Sequence, residues 1–416
     1  ALRQNTPIVA WGDYDMDGLS SLALLAAFFK SLNAPLTTIV PRRETEGYGL
    51  RETHIDDLAA RGFGLLITLD NGTSAVAEIA HAKALGMKVI VVDHHQIGEV
   101  LPKADALLNP LREGCAYPDK TLAAVGLTFV LVCGLRRHLV STGYIAKERA
   151  PVLRDLLDLV TMGTVADLVP LRHVNRAFVR HGLPLLTRSH RPGLMALKEV
   201  SRLALDSEVS TYTVGFILAP PINAAGRIGD PREALALLGA DDLPMARTLA
   251  ERLAHYNNER KLLESRVLEE ALALLAKEKE LAALPALVVV GGDWPEGVVG
   301  LVAARLVERF HKPSIVITRA AHGEARGSCR SIRALHMQQA LQAVSGHLLR
   351  FGGHSQAAGF SVAPENIAAF RTAFLAEVKS RLTPTDYLPR CTTDGELPFL
   401  AIDHDLLAQL ERLAPY

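Results

Sequence analysis

Short apolar runs recur through the first hundred positions, each closed by acidic, amide or imidazole side chains. Ile8-Val9-Ala10 leads through Trp11-Gly12 into Asp13, Leu65–Leu69 into Asp70-Asn71-Gly72, and Lys88–Val92 into Asp93-His94-His95. Unbroken apolar runs of this length, bounded by turn formers, predict strands buried on both faces. Ser74–Leu85 reads as the helix between the second and third. The alternation from Ile8 to about Val92 therefore predicts a doubly wound α/β unit with a parallel sheet. Residues 120–186 are patterned as helix, and the spacing places a first domain at 1–243.

The pattern changes after Pro244. About forty residues rich in Leu, Ala, Glu, Lys and Arg follow without glycine or proline, predicting a long connecting helix over 244–284. At about 1.5 Å per residue such a helix bridges roughly 55 Å and sets two lobes apart with a groove between them. A coiled-coil dimer is the alternative, against which the heptads break around His255–Arg260. A smaller α/β domain is predicted over 285–383, with strands at Ala286–Val290 and Pro313–Thr318 and a helix at Val298–Phe310. In 384–416, Asp394–Leu397 reads as a strand and Ile402–Leu413 as a helix.

The strand ends carry the chemistry. Asp13, Asp15 and Asp17 crowd three carboxylates into Asp13-Tyr-Asp-Met-Asp17. That is costly unless a cation sits among them, although Asp and Gly after a strand also suit a tight turn. In a parallel sheet the carboxyl ends of the strands lie along one edge, where ligands bind, so the three clusters can converge. A fourth contribution comes from Asp167 in Val165-Ala-Asp-Leu-Val-Pro170, which is either a helix-end polar residue bonded to backbone or a ligand. Carboxylate oxygens and imidazole nitrogens without thiolate suit Mn²⁺ or Mg²⁺ better than structural zinc.

Composition bounds this picture. With 416 residues and 49% apolar content the chain has room for two or three domains with substantial cores. The apolar stretch Leu22–Phe29 is too short to span a bilayer, and no membrane association or signal peptide is expected. Cys115, Cys133, Cys329 and Cys391 stand too far apart for a Cys-x-x-Cys motif and read as reduced thiols, so the cytoplasm is the expected compartment. Lys plus Arg equals Asp plus Glu, 45 each, which is not the balance of a strongly basic nucleic-acid binder. Local basic patches at Arg42-Arg43, at Arg326 with Arg330 and Arg333, and at Arg202 or Arg305 are candidates. Each is otherwise an ordinary solvated charge.

Taken in order, Asp13-Tyr-Asp-Met-Asp-Gly18, Asp70-Asn-Gly72, Asp93-His-His95 and Val165-Ala-Asp167 resemble the four motifs of the DHH phosphoesterase superfamily. Phe351-Gly-Gly-His-Ser-Gln-Ala-Ala-Gly359 resembles the signature of the accompanying DHHA1 domain. Glu46-Gly-Tyr-Gly49, Pro221-Ile-Asn-Ala-Ala-Gly-Arg227, Gly297-Val-Val-Gly300 and Gly327-Ser-Cys-Arg-Ser331 resemble the RecJ branch, the single-strand-specific 5′→3′ DNA exonucleases. The match runs from about Ile8 to Phe360.

The resemblance implies two-metal phosphodiester hydrolysis with Mn²⁺ or Mg²⁺. It makes Asp70 a bridging ligand, completed by Asp15, Asp17, His94 and Asp167, with Asp13 as a ligand or its support. His95 becomes a phosphate contact or proton donor, and Asp93 orients an imidazole. Ser328 and Arg330 are implied to grip a terminal 5′-phosphate, and Gly352, Gly353, His354 and Ser355 to approach phosphate, although taken alone these four also read as a tight turn. Arg42, Asn223 and Arg227 are further substrate contacts, with Tyr48 or Trp294 stacking on bases. The expected partner is single-stranded DNA with a 5′ end, supplied by a single-strand-binding protein or helicase to a monomeric enzyme. An OB-fold usually follows in this family, so 384–416 is expected to open a further region that is cut short here.

One position departs from the superfamily pattern. Trp11 stands where a histidine usually precedes the first aspartate by two residues, and indole cannot ligate a metal. A weaker first metal site is expected, with Mn²⁺ preferred. Two other classes share some of these features: DHH enzymes acting on very short RNA or on phosphoadenosine phosphate, and non-catalytic DHH scaffolds at replication forks.

Overall fold

The computed structural model describes residues 1–42, 46, 49–277, 283–319 and 323–415. Arg43, part of a candidate basic patch, and Tyr48, a candidate for stacking on bases, lie outside the described residues. The chain divides into two units, Ala1–Asn257 with Ile402–Tyr416, and Asn258–Ala401.

The first unit is built on five parallel strands, β1 (Ile8–Gly12), β2 (Thr37–Ile39), β3 (Leu65–Leu69), β4 (Lys88–Val92) and β5 (Ala106–Leu108), in the order β2-β1-β3-β4-β5. Helices α1 (Met16–Ser31), α2 (Glu52–Ala60) and α3 (Val76–Ala84) connect the first four strands, and α4 (Ala124–Ser141) and α5 (Leu157–Ala166) follow β5. Strand alternation sends Ala10, Ile67, Leu69 and Val92 into a core shared with α1, α4 and α5. Val9, Trp11, Leu66, Val89 and Val91 pack on the opposite face, where Ile55 and Leu58 of α2 and Ile79 and Ala82 of α3 cover them. Both faces are therefore apolar, as the unbroken runs of β1, β3 and β4 require. The chain leaves β1 in opposite directions, to β2 and β3, so the switch point lies beside the carboxyl end of β1.

Four more helices, α6 (His173–Thr187), α7 (Pro192–Val200), α8 (Ala219–Ile228) and α9 (Pro231–Leu238), complete this unit, with a π-helical turn at Thr213–Leu218 running into α8. Among the described helices α4 is long and apolar enough to cross a membrane. Its Val125, Leu127, Phe129, Val132 and Leu139 lie in the core, which accounts for that composition.

Helix α10 spans Leu243–Leu275, 33 residues, or about 50 Å at 1.5 Å per residue. It stops short of the expected 284, and the division between units falls within it, at Asn257, rather than at its ends.

The second unit carries a mixed sheet, β6 (Leu287–Val290), β7 (Ser314–Arg319), β8 (Ala325–Arg330), β9 (Arg350–Gly353) and β10 (Ala357–Val362), in the order β6-β7-β8-β10-β9. Only β6 and β7 run parallel; the other pairs are antiparallel. Helix α11 (Glu296–Phe310) returns the chain from β6 to β7, and α12 (Met337–Ala343) and α13 (Ile367–Arg381) bury Ala325, Cys329, Ala358 and Phe360. The strand expected at Asp394–Leu397 does not form. Residues 388–405 are exposed, so no neighbouring strand compensates the backbone there. A last helix, α14 (His404–Glu411), belongs to the first unit and forms inside the segment expected to be helical.

Candidate metal centre

The carboxyl ends of β1, β3 and β4 bring the three sequence clusters to one point, and α5 delivers Asp167 as its C-terminal cap. His94 Nε2 lies 3.2 Å from Asp70 Oδ1 and 3.7 Å from both Asp17 Oδ2 and Asp167 Oδ2. Among the described residues, donor atoms fall into three groups, each within 4.8 Å: Asp70, His94 and His95; Asp17, His94 and Asp167; and Asp13, Asp15 and Asp70. Asp70 belongs to two of them. Its Oδ1 is buried and accepts no hydrogen bond, which is costly for a carboxylate unless a cation occupies the space it faces. Oxygen and imidazole donors with one orphaned carboxylate oxygen fit Mn²⁺ or Mg²⁺.

Each ligand candidate is fixed by local structure. Asp15 caps α1, accepting from the Asp17 and Gly18 N–H groups at 3.0 and 3.2 Å. Asp17 is 2% exposed and accepts from the Ala124 and Val125 N–H groups at 2.7 and 2.8 Å, at the start of α4. That helix end supplies two donors and a positive dipole end to a carboxylate buried among others. Asp13 accepts from the Tyr14 N–H at 2.8 Å. Asp70 sits at φ 62°, a strained left-handed conformation of the kind that clusters at functional sites.

Burial, and then the charge of Asp15, raises the Asp17 carboxyl to about 7. Burial, and then Asp17, raises Asp167 to about 8. Asp70 is pushed well above the ordinary range by burial and by the carboxylates around it. These are carboxyls that either hold protons or hold a cation.

Asp93 has a different task. Its Oδ1 accepts from the N–H groups of His94 and His95 and from His95 Nδ1 at 2.7 Å, and its Oδ2 accepts from the Thr73 N–H at 2.9 Å. Burial opposes ionisation of Asp93, but the bonds to His95 and Thr73 outweigh it and hold the carboxyl below its usual range. Burial likewise works against charge on His95 and is outweighed by Asp93, so the imidazolium persists to about 9. Asn109, just after β5, donates to Thr73 Oγ1 at 3.0 Å and to the His95 carbonyl at 2.8 Å. Thr73, Asn109 and the start of α4 were not expected from the sequence. The available signal was Asn109-Pro110 after the three-residue run of β5, too short to stand out.

Trp11 points away from this cluster into the apolar face with α2. It is 3% exposed, its ring centroid lies 4.7 Å from that of His54, and its Nε1 is buried without a partner. Asp13, Asp15 and Asp70 gather without any contribution from position 11.

The segment Pro221–Arg227 lies in α8 against the metal loop. Asn223 Oδ1 accepts from the Met16 N–H at 2.8 Å, fixing the start of α1. A Cβ at Gly226 would lie 2.6 Å from the Tyr14 carbonyl oxygen, so only glycine permits this approach. Arg227 follows on the same helix. Arg42 is paired with Asp230 at 2.5 Å, the residue that caps α9.

In the second unit, β8 turns Arg326, Ser328 and Arg330 to the face opposite its core. A Cβ at Gly300 of α11 would lie 2.8 Å from Ser328 Oγ and 3.2 Å from Arg330 Nη2. Ser328 pairs with Gly359, which pairs with Gly352, so two side-chain-free positions continue its row. Gly353, at φ 140°, packs on Ala358, and His354 and Ser355 form the hairpin turn between β9 and β10. Arg326 is paired with Glu296, and Arg305 with Glu264 and Glu308. Trp294, expected to stack on bases, is 6% exposed and donates to Glu270 at 2.6 Å. Its ring is packing, not a platform.

The DHH family N-terminal domain matches residues 7–164, and the DHHA1 domain matches 283–380. The single-stranded-DNA-specific exonuclease RecJ of Escherichia coli is 40% identical over 95% of this chain and 70% of its own length. The chain belongs to the RecJ family. The RecJ protein of Salmonella typhimurium is 39% identical over the whole chain and 74% of its own length. A crystal structure of RecJ from Thermus thermophilus with Mn²⁺ superposes with a TM-score of 0.86 at 29% identity, covering all of this chain and 58% of that one. A second RecJ structure bound to manganese gives 0.77 at 31% identity over 92% of both chains.

Proposed function

We propose that this chain is a divalent-metal-dependent exonuclease that hydrolyses phosphodiesters of single-stranded DNA from the 5′ end. The observation that carries the proposal is Asp70 Oδ1, buried, without a hydrogen bond, and 3.2 Å from His94 Nε2 amid Asp17 and Asp167. Asp70, Asp17, His94 and Asp167, with Asp13 and Asp15 beside them, would hold two Mn²⁺ or Mg²⁺ ions. Bound there, such ions supply charge for the phosphoryl oxygens and acidify an attacking water. The chain's own groups do the rest. Asp93 holds His95 through Nδ1 as an imidazolium, placed to contact the phosphate or to donate a proton to the leaving oxygen. The start of α4 keeps Asp17 oriented. Ser328 and Arg330, beside Gly300 of α11, would bring a hydroxyl and a guanidinium, whose Nη1 donates to the Cys329 carbonyl at 2.8 Å, to a terminal 5′-phosphate.

A single-strand-binding protein or helicase that frees the 5′ end, action as a monomer and a cytoplasmic setting complete the proposal. The test uses one single strand labelled at its 5′ or 3′ end, its duplex form and a dinucleotide, with Mn²⁺, Mg²⁺ or chelator. Early release of the 5′ label from single strand alone, abolished by chelator, is expected. Cleavage of the dinucleotide alone would reassign the chain to short oligonucleotides.

A further inference from the structure

Tyr212 and Phe216 are 65% and 67% exposed, yet they form an ordered pair. Their ring centroids lie 4.9 Å apart with 27° between planes. Tyr212 precedes the π-helical turn and Phe216 lies in it, and the turn is anchored by Val214 and Leu218, both buried in the core. Single exposed apolar residues need no explanation, but two stacked rings displayed on a rigid turn do. π-helical turns are themselves frequent at functional sites.

The pair is continuous with the metal centre in two directions. A Cβ at Gly215, which lies between Tyr212 and Phe216 in the sequence, would be 3.8 Å from Val165 Cγ1, and Val165 is two residues from Asp167. Leu168, next to Asp167, is itself 81% exposed at φ 59°, a strained placement for a bulky side chain. In the other direction the turn continues into α8. Asn223 lies seven residues past Phe216, about 10 Å along the axis. That is roughly three nucleotides at the 3.4 Å spacing of stacked bases.

We infer that the Tyr212–Phe216 pair is a stacking platform for a base of the single strand within a few nucleotides of the scissile phosphate. Flat aromatic faces are recognised by every base without regard to sequence. The inference rests on the exonuclease reading and gives it the base contact that the buried Trp294 cannot supply.

The test compares wild type with Phe216→Ala, Tyr212→Ala and Phe216→Leu, which keeps the apolar volume without the ring. Substrates are a fluorescein-labelled oligothymidylate and the same strand carrying abasic residues. The wild type should show a KM roughly 5- to 150-fold lower for the strand with bases, the range of one base–aromatic stack. In Phe216→Ala and Phe216→Leu that preference should fall toward one, with saturating kcat within about twofold and an unchanged melting temperature. An unchanged preference in variants that still cleave overturns the platform and leaves the exonuclease reading intact. If wild type fails to cleave, that reading falls, and binding of the same strands in chelator decides the platform. Variants that bind as wild type overturn it, and variants that lose the base-dependent part of binding support it.

Discussion

Gly226→Ala is a one-carbon test of how α8 governs the metal loop. The added Cβ would lie 2.6 Å from the Tyr14 carbonyl oxygen, 3.0 Å from its Cδ2 and 3.3 Å from its carbonyl carbon. Tyr14 stands between Asp13 and Asp15, so relief means moving either α8 or the loop that carries those carboxylates. Restoring ordinary contact needs a separation larger by about 0.4–0.8 Å. Overpacking of this kind costs about 1–3 kcal/mol, while alanine gains about 1 kcal/mol over glycine in a helix. The net stability change is therefore small, a melting shift of a few degrees in a unit of this size. Catalysis is less forgiving, because a displacement near 1 Å at reacting groups costs about 10²-fold. We expect kcat on single-stranded DNA to fall roughly 10- to 100-fold, with a raised Mn²⁺ requirement. Steady-state kinetics across a Mn²⁺ titration, beside a thermal melt, reads both effects. Wild-type kcat and metal requirement in a folded Gly226→Ala protein would refute the reasoning.

Three further outcomes follow from the site. Asp17 and Asp167 have folded values of about 7 and 8, above the roughly 4 of an unfolded carboxyl. Their contribution to the metal-free chain is fully present below that unfolded value and is lost as pH rises through the folded values. Mn²⁺ takes the ionised forms, so its stabilisation in a thermal melt should be larger near about pH 8.5 than near about pH 6, and a pH-independent shift would contradict the assignment. Asp93→Asn removes the carboxylate that holds His95 and should lower kcat by roughly 10- to 100-fold, as loss of such supporting groups does; unchanged kinetics would remove Asp93 from the site. Trp11→His puts an imidazole where the indole packs against His54, on the sheet face away from the carboxylates, and should leave the Mn²⁺ concentration for half-maximal activity unchanged; a lower requirement would bring position 11 into the first site.

Much of the centre was legible because each ligand candidate ends a strong local pattern. Leu65–Leu69 and Lys88–Val92 are strands at the residues their apolar runs predict, and a parallel sheet obliges Asp70 and His94 to meet Asp15 and Asp17. Asp167 was readable as a charge closing an apolar helix. What escaped detection depends on long-range contact. That Asn223 Oδ1 accepts from the Met16 N–H, 207 positions away, could not be read from its motif. The exposure of Trp294, and equally of Tyr212 and Phe216, is a property of packing that composition does not carry. The strand expected at Asp394–Leu397 failed because alternation alone cannot supply a neighbouring strand.

The most direct test of the central claim is a Mn²⁺ titration followed by electron paramagnetic resonance, run on wild type and Asp70→Asn together with hydrolysis of the 5′-labelled single strand. Asparagine tolerates the left-handed backbone at position 70, so the substitution removes charge without disturbing the turn. The account predicts saturable Mn²⁺ binding and hydrolysis in wild type, and loss of both in Asp70→Asn with the melting temperature retained. Absence of Mn²⁺ binding by wild type, or an Asp70→Asn protein that keeps both properties, would contradict it.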